Sequence, residues 1–307
     1  MRILLTTTSF TDTPGIHQDK LKSLNYKIDV LRGPLKEEIL LPIIGNYDGI
    51  ICGDDEITRK VIANGKKGKL KVISKYGIGL DKIDLKSAVE FGIKVCKTPG
   101  VNHITVSEHI LALLFSYYKN IHLEYNITKS GRWERLIGHE LYGKKIGIVG
   151  YGRIGHALAQ RSKALGLSVK AYDPYASKIT VKDSDIEFVE NIINLVDEID
   201  VLALTVPLNN ETEGMINEKI INSASKKMVI VNTSRALVVN QIDLIKSLKA
   251  NKIEAYLTDV LEEEPMILNH PLNEFSNVII TPHIGSRTFE SVQRQGLMAV
   301  ENLIENI

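Results

Sequence analysis

One segment near the middle of the 307-residue chain, Lys145-Ile146-Gly147-Ile148-Val149-Gly150-Tyr151-Gly152-Arg153-Ile154-Gly155, limits what it can fold into more than any other feature. An apolar, β-branched run leads into glycines spaced G-x-G-x-x-G. Residues 157–165 continue with helical periodicity, and a second strand-like run at 168–172 ends at Asp173. A strand that turns on glycine into a helix and returns as a strand is a βαβ unit built for a dinucleotide. Gly150 permits the tight turn, and Gly152 lets the backbone approach a diphosphate. Gly155 allows helix and strand to pack closely, while Arg153 and Ile154 open the helix. The N–H groups and positive dipole at that helix start suit phosphate oxygens. Asp173, a little over 20 residues past Gly150, is placed to meet ribose hydroxyls. Its charge would repel a 2′-phosphate, and no arginine follows in Asp173-Pro174-Tyr175, so NAD is favoured over NADP.

The same alternation runs through the whole chain. Strand-like runs fall at 3–7, 26–31, 49–52, 72–75 and 93–96. A second series falls at 145–149, 168–172, 201–205, 228–232, 253–258 and 278–281, with helical stretches such as 154–165 and 241–250 between them. This pattern predicts an α/β fold with two Rossmann-like, doubly wound domains. Because the glycine segment begins near residue 145, the cofactor domain is expected as an insertion in the substrate domain. Residues 1–99 plus 285–307 form the substrate (catalytic) domain in this reading, and 100–284 the NAD-binding domain. After Thr98-Pro99-Gly100, residues 101–118 read as one long helix whose apolar set, Ile104, Ile110, Leu111, Leu113, Leu114 and Tyr117, exceeds a single stripe. That breadth predicts burial at a domain or subunit interface, with the helix crossing between domains.

Composition excludes several classes of function. A net charge of +1 gives no global attraction to nucleic acid or to an anionic membrane. The densest basic run, Lys66-Lys67-Gly68-Lys69-Leu70-Lys71, is short and reads as a solvated turn. No apolar run approaches the roughly 18 residues a bilayer span requires. The start of the chain is too short and polar for a signal segment. Cys52 and Cys96 lie far apart and frame neither a zinc site nor a disulfide. A cytoplasmic, soluble protein with reduced thiols and no metal is expected. His103 and His109, six apart, do not make a zinc-binding face and read as helix packing, and Trp133 reads as a loop anchor. Glu262, Glu263 and Glu264 are consecutive and cannot all face one ion.

Three charged residues follow strand-like runs in the second half: Arg235, Glu264 and His283. Reduction of a carbonyl beside a carboxylate needs a cation for the carboxylate, and guanidinium binds it bidentately. It also needs a general acid at the carbonyl oxygen, for which histidine titrates in the right range, and a glutamate to orient the imidazole and favour its protonated form.

In combination these segments resemble the D-isomer-specific 2-hydroxyacid dehydrogenase family. The matching residues are Gly150 to Gly155, Asn232-Thr233-Ser234-Arg235, Asp259-Val260 through Glu264-Pro265, and Thr281-Pro282-His283-Ile284-Gly285, with Tyr76-Gly77-Ile78-Gly79-Leu80-Asp81 and Val106-Ser107-Glu108-His109 earlier. The resemblance implies that Arg235, Glu264 and His283 form the catalytic set. It implies contacts to NAD by Val106, Thr205, Val206, Pro207, Thr212, Thr233, Ser234, Asp259 and Gly285. Lys75, Tyr76, Gly77 and Ile78 form the family's substrate-carboxylate loop, where Gly77 would let backbone N–H groups face an anion. It further implies a small 2-hydroxy or 2-keto acid as substrate, a homodimer and domain closure. Short phosphoglycerate dehydrogenase-type members look most similar, with Lys75, Arg287 and the hydroxyls of 6–9 suited to a phosphate. Glyoxylate or hydroxypyruvate reduction is the close alternative. More distant are phosphite dehydrogenation and, from another class, an NAD-sensing corepressor. Ser107 stands where the family often has alanine. The chain ends soon after the helix expected at 289–306, which leads to the expectation of no C-terminal regulatory domain.

Overall fold

The β-branched runs in the middle of each sheet become strands that are buried on both faces, the condition of a parallel sheet covered by helices on either side. The computed structural model describes residues 1–175 and 186–307. By their contacts these residues divide into two units, Met1–Asn102 with Ser286–Ile307, and His103–Gly285.

In the first unit, β1 (Arg2–Leu5), β2 (Lys27–Val30), β3 (Gly49–Cys52), β4 (Val72–Lys75) and β5 (Lys94–Cys96) form a parallel sheet in the order β2-β1-β3-β4-β5. Successive side chains point to opposite faces. Leu4, Ile50, Cys52 and Ile73 therefore pack with Val61 and Ile62 of the helix Arg59–Lys67. Ile3, Leu5, Ile51 and Val72 pack instead with Val292, Val300 and Leu303 of the helix Phe289–Asn306. That last helix is capped by the hydroxyl of Thr288, which accepts from the N–H of Ser291. The Ser74 hydroxyl ties it to β4 by donating to the carbonyl of Ala299 at 2.7 Å.

The second unit holds β6 (Lys145–Val149), β7 (Ser168–Tyr172), β8 (Glu187–Phe188), β9 (Val201–Leu204), β10 (Val229–Asn232), β11 (Ala255–Thr258) and β12 (Val278–Ile280). All pairs are parallel, and the order is β12-β11-β10-β9-β6-β7-β8. Counted from β6 this is 3-2-1-4-5-6-7, the dinucleotide-binding order with one strand added. The register sets Ile146 beside Val201 and Ile148 beside Ala203. These residues, with Val231 and Leu257, face one core that includes the helices His103–Tyr118 and Arg153–Ala164. Leu202, Leu204, Ile230 and Tyr256 face the other, with Leu195, Ile220 and Leu244. Truncating a fully buried Ile or Leu in either layer to alanine costs about 2–5 kcal/mol.

The strand-like runs all become strands, several trimmed by a residue or two at their ends, and β8 is added. Two readings are corrected. The long helix, His103–Tyr118, is the first element of the second unit and does not cross between units. It is apolar on several sides because it lies in that unit's core against both the sheet and the helix Arg153–Ala164. Trp133, read as a loop anchor, is 78% exposed among the described residues. Lys66 and Lys67, read as part of a turn, close the helix Arg59–Lys67, and Lys69 and Lys71 follow it; all four are exposed. Among the described residues no helix is long and apolar enough to cross a membrane, and no group of three His, Cys, Asp or Glu side chains could hold a metal ion.

In open α/β sheets ligands bind beyond the carboxyl ends of the strands, where the strand order reverses. In the second unit that point lies between β6 and β9, and in the first between β1 and β3.

Candidate active site

Past β6 the chain turns on Gly150 at φ +93°, a left-handed conformation that glycine adopts at little cost. Its N–H donates to the carbonyl of Tyr172 at 2.8 Å. Its carbonyl accepts from the Thr205 hydroxyl at 2.6 Å, which joins the ends of β6 and β9. Gly155 packs directly on this turn, and a Cβ there would drive into the carbonyl oxygen of Gly150. Gly152 caps the helix Arg153–Ala164 with no side-chain cap among the described residues. Around Gly152 nothing among the described residues stands within 4 Å of where a Cβ would be.

Asp173, just past β7, accepts from the N–H of Tyr151 at 2.7 Å and of Tyr175 at 2.8 Å, which holds the carboxylate at the tip of its strand. Beyond β9, Val206 is half-buried and Pro207 exposed. Thr212 donates to the Pro207 carbonyl at 2.6 Å and shapes that loop. The hydroxyl of Thr233, past β10, is buried with no partner among the described residues. A glycine cradle, uncapped helix N–H groups, an anchored acid and an orphaned hydroxyl on one sheet edge fit a dinucleotide. Val106 differs from these: it is 6% exposed and belongs to the unit's core.

The three charged residues follow three adjacent strands, β10, β11 and β12. His283 Nδ1 lies 2.7 Å from Glu264 Oε2, with both side chains about one-third exposed. The other oxygen of Glu264 accepts from the N–H of Leu261 at 2.9 Å, which fixes the carboxylate. With Nδ1 on the carboxylate, Nε2 is the ring nitrogen turned away from Glu264. Arg235 is positioned by its own loop. The buried Asn232 accepts from the N–H and hydroxyl of Ser234 and donates to the Arg235 carbonyl at 2.9 Å. The guanidinium donates to the Ser234 carbonyl at 2.8 Å.

A clamp that sequence reasoning missed holds the histidine. His283 sits at φ +54°, a conformation uncommon outside glycine, and costing about 1–2 kcal/mol. Asp259, 2% exposed, accepts from Thr281 Oγ1 at 2.6 Å, Ile284 N–H at 2.9 Å and Gly285 N–H at 2.7 Å. His109 completes the cluster, 3.0 Å from Thr281 Oγ1 and 3.4 Å from Asp259. His109 is thus more than helix packing, and Asp259, expected to touch cofactor, has both oxygens engaged by protein. Burial alone would push the Asp259 carboxyl up, but the hydrogen bonds from His109, Thr281, Ile284 and Gly285 outweigh it and hold it below its ordinary value.

In the first unit, Lys75 ends β4 with its side chain buried against Asp54. The hydroxyl of Tyr76 is buried without a partner among the described residues, and burial pushes its pKa up. Gly77 does not leave its N–H for an anion; it donates to the Thr98 hydroxyl at 2.9 Å. The N–H of Ile78 has no acceptor among the described residues.

Residues 111–285 match the family model described as D-isomer specific 2-hydroxyacid dehydrogenase, NAD binding domain. The chain is similar to D-3-phosphoglycerate dehydrogenase of Methanocaldococcus jannaschii, 36% identical over 295 residues, covering 95% of this chain and 56% of that protein. It is equally similar to glyoxylate reductase of Thermofilum pendens, 36% identical over 279 residues, covering 88% of this chain and 81% of that protein. Among solved structures it matches the TT0316 protein from Thermus thermophilus with a TM-score of 0.87 and 32% identity, over 99% of this chain and 96% of that one. The chain spans about half the length of the phosphoglycerate dehydrogenases it matches.

Proposed function

Since the chain belongs to the D-isomer-specific 2-hydroxyacid dehydrogenase family, we propose that it transfers hydride reversibly between NAD(H) and a small 2-hydroxy or 2-keto acid. The observation that carries this reading is the His283–Glu264 pair at 2.7 Å, on the same sheet edge as the Gly150 turn. NAD(H), when bound, supplies the hydride donor or acceptor. The 150–155 loop and the N–H groups of the following helix hold its diphosphate, Asp173 its adenosine ribose, and Thr233 with the 205–207 loop its nicotinamide side.

The acid–base work falls to this chain's own residues. Arg235 holds the substrate carboxylate. In the reductive direction His283 Nε2 gives a proton to the carbonyl oxygen as the neighbouring carbon is reduced. In the oxidative direction the neutral ring takes the hydroxyl proton. Glu264 holds the ring in the tautomer that keeps Nε2 facing the reacting oxygen. Asp259 and His109 keep the turn that carries His283 in its left-handed conformation.

For the acid itself, the relatives divide between phosphoglycerate dehydrogenase and glyoxylate reductase at the same identity. Both classes fit these roles. Both cysteines are free, which suits a cytoplasmic enzyme. Homodimer formation is supported by an exposed apolar series in the second unit, including Ile121, Tyr125, Trp133, Ile137 and Tyr142. Light scattering should report twice the chain mass; a monomer at micromolar concentration contradicts that assignment.

The test of the reading is NADH oxidation with phosphohydroxypyruvate, hydroxypyruvate, glyoxylate, pyruvate and longer 2-keto acids, with NADPH alongside. Turnover with at least one of them, and a preference for NADH, is expected. Tight NADH binding with no turnover of any 2-keto acid would move the chain to the cofactor-sensing class.

A further inference from the structure

In the second unit, the loops that follow β7 and β9 are joined by a side-chain hydrogen bond: the hydroxyl of Tyr175 donates to Glu211 Oε2 at 2.5 Å. In the sheet β6 lies between β7 and β9. A link from one outer loop to the other therefore spans the carboxyl end of β6, where the chain turns on Gly150. Two strand spacings make a gap of about 10 Å, which a tyrosine and a glutamate side chain together can cross.

Both ends of the link are anchored through their own backbone. The N–H of Tyr175 donates to Asp173 Oδ1 at 2.8 Å, while Asp173 Oδ2 accepts from the N–H of Tyr151 at 2.7 Å. Asn209 Oδ1 accepts from the N–H of Glu211 at 2.8 Å and of Thr212 at 3.1 Å. Thr212 Oγ1 in turn donates to the Pro207 carbonyl at 2.6 Å. Parting the link thus needs no loop movement. Both side chains are exposed, Tyr175 at 75%, and exposed side chains change rotamer within about a nanosecond. The hydrogen bond to Glu211 holds the Tyr175 phenol above its ordinary pKa, so the donor keeps its proton through neutral pH.

We propose that Tyr175 and Glu211 form a strap across the mouth of the dinucleotide site, running from the adenosine side to the loop past β9. It parts to admit NAD(H), shuts over it and parts again to release it. The inference rests on the reading that Asp173 meets the adenosine ribose. A gate that opens and shuts much faster than the cofactor binds scales entry and exit alike by the fraction of time it stands open. The strap therefore sets the rates of exchange and leaves the affinity nearly untouched.

Stopped-flow NADH fluorescence with the whole chain gives association and dissociation rates for the wild type, Tyr175→Phe, Glu211→Ala and the double variant. Tyr175→Phe keeps the ring and removes the donor. It should raise both rates by about two- to tenfold, the factor that one hydrogen bond supplies, with the dissociation constant near wild type. In the Glu211→Ala background the same substitution should change neither rate, because its partner is already gone. Rates that Tyr175→Phe leaves unchanged overturn the inference. So does a rise in dissociation alone, which marks the hydroxyl as a contact to the cofactor, and so does an effect that persists without Glu211. A wild type that binds no NADH is instead the failure of the cofactor reading itself, and removes both.

Discussion

Two parallel sheets in one chain are covered on both faces in the same way, yet their carboxyl edges differ. The edge of the second sheet offers glycine, backbone N–H groups and an orphaned hydroxyl, with its one buried carboxylate, Asp259, saturated by donors. The edge of the first is crowded with charge that is already paired: Lys75 with Asp54, and Arg32 and Arg287 with Asp12. The neutral donors around the Gly150 turn are preorganised for a multiply charged ligand, because no ion pair at that turn must break when it binds, while the His283–Glu264 pair lies farther along the edge, past β11 and β12.

The contrast can be broken most severely at His283. His283→Ala should lower turnover by about two to four decades, the usual share of a general acid–base group, while NADH affinity by fluorescence titration stays near wild type. Loss of NADH binding in that variant would mean the histidine supports the cofactor edge and not the proton. Next in size is Gly155→Val. Its branched side chain has no room against the Gly150 carbonyl, so the variant should lose about 1–3 kcal/mol of stability, read by denaturant midpoint, together with NADH affinity. Asp173→Asn should weaken NADH about tenfold and bring NADPH closer to it, because the charge opposing a 2′-phosphate is gone; equal weakening of both cofactors would count against that role.

The smallest effects belong to the clamp. His109→Leu removes a donor from the Thr281–Asp259 cluster and should cost about 1–3 kcal/mol, seen in thermal melts, with a few-fold loss of kcat. Asp259 also sets an acid limb. Its carboxyl titrates below the ordinary 3.8 in the folded chain. Its stabilisation is therefore full above 3.8 and lost as pH falls through the lower folded value. Asp259→Asn should flatten acid unfolding in that window, and an unchanged slope would show that other carboxylates govern it.

Much of the second edge was legible in the sequence because its geometry is local. A G-x-G-x-x-G turn, the strand before it and the acid after it lie within 29 residues, 145 to 173, and glycine spacing reports backbone conformation directly. The strands were legible because residues buried on both faces leave continuous apolar runs, whereas β8, two residues long, leaves no such trace. The clamp was not legible: His109 meets Thr281 across 172 residues, and no local pattern encodes that approach. The same holds for Gly77, whose N–H is taken by Thr98, and for Lys75, whose charge reads as available until Asp54 is found beside it. The helix His103–Tyr118 misled for a related reason. An apolar surface broader than one stripe reports burial, but not which elements do the burying.

The proposed chemistry turns on a single ionisable group that gives its proton in one direction and takes it in the other. The measurement that tests this most directly is the pH dependence of kcat/KM, with the preferred 2-keto acid and NADH in one direction and the matching D-2-hydroxy acid and NAD in the other. Reduction should fall as pH rises and oxidation should fall as pH falls, through one shared apparent pKa, and both limbs should disappear in His283→Ala. If both limbs persist in that variant, the proton is carried elsewhere and the role given to the His283–Glu264 pair is wrong.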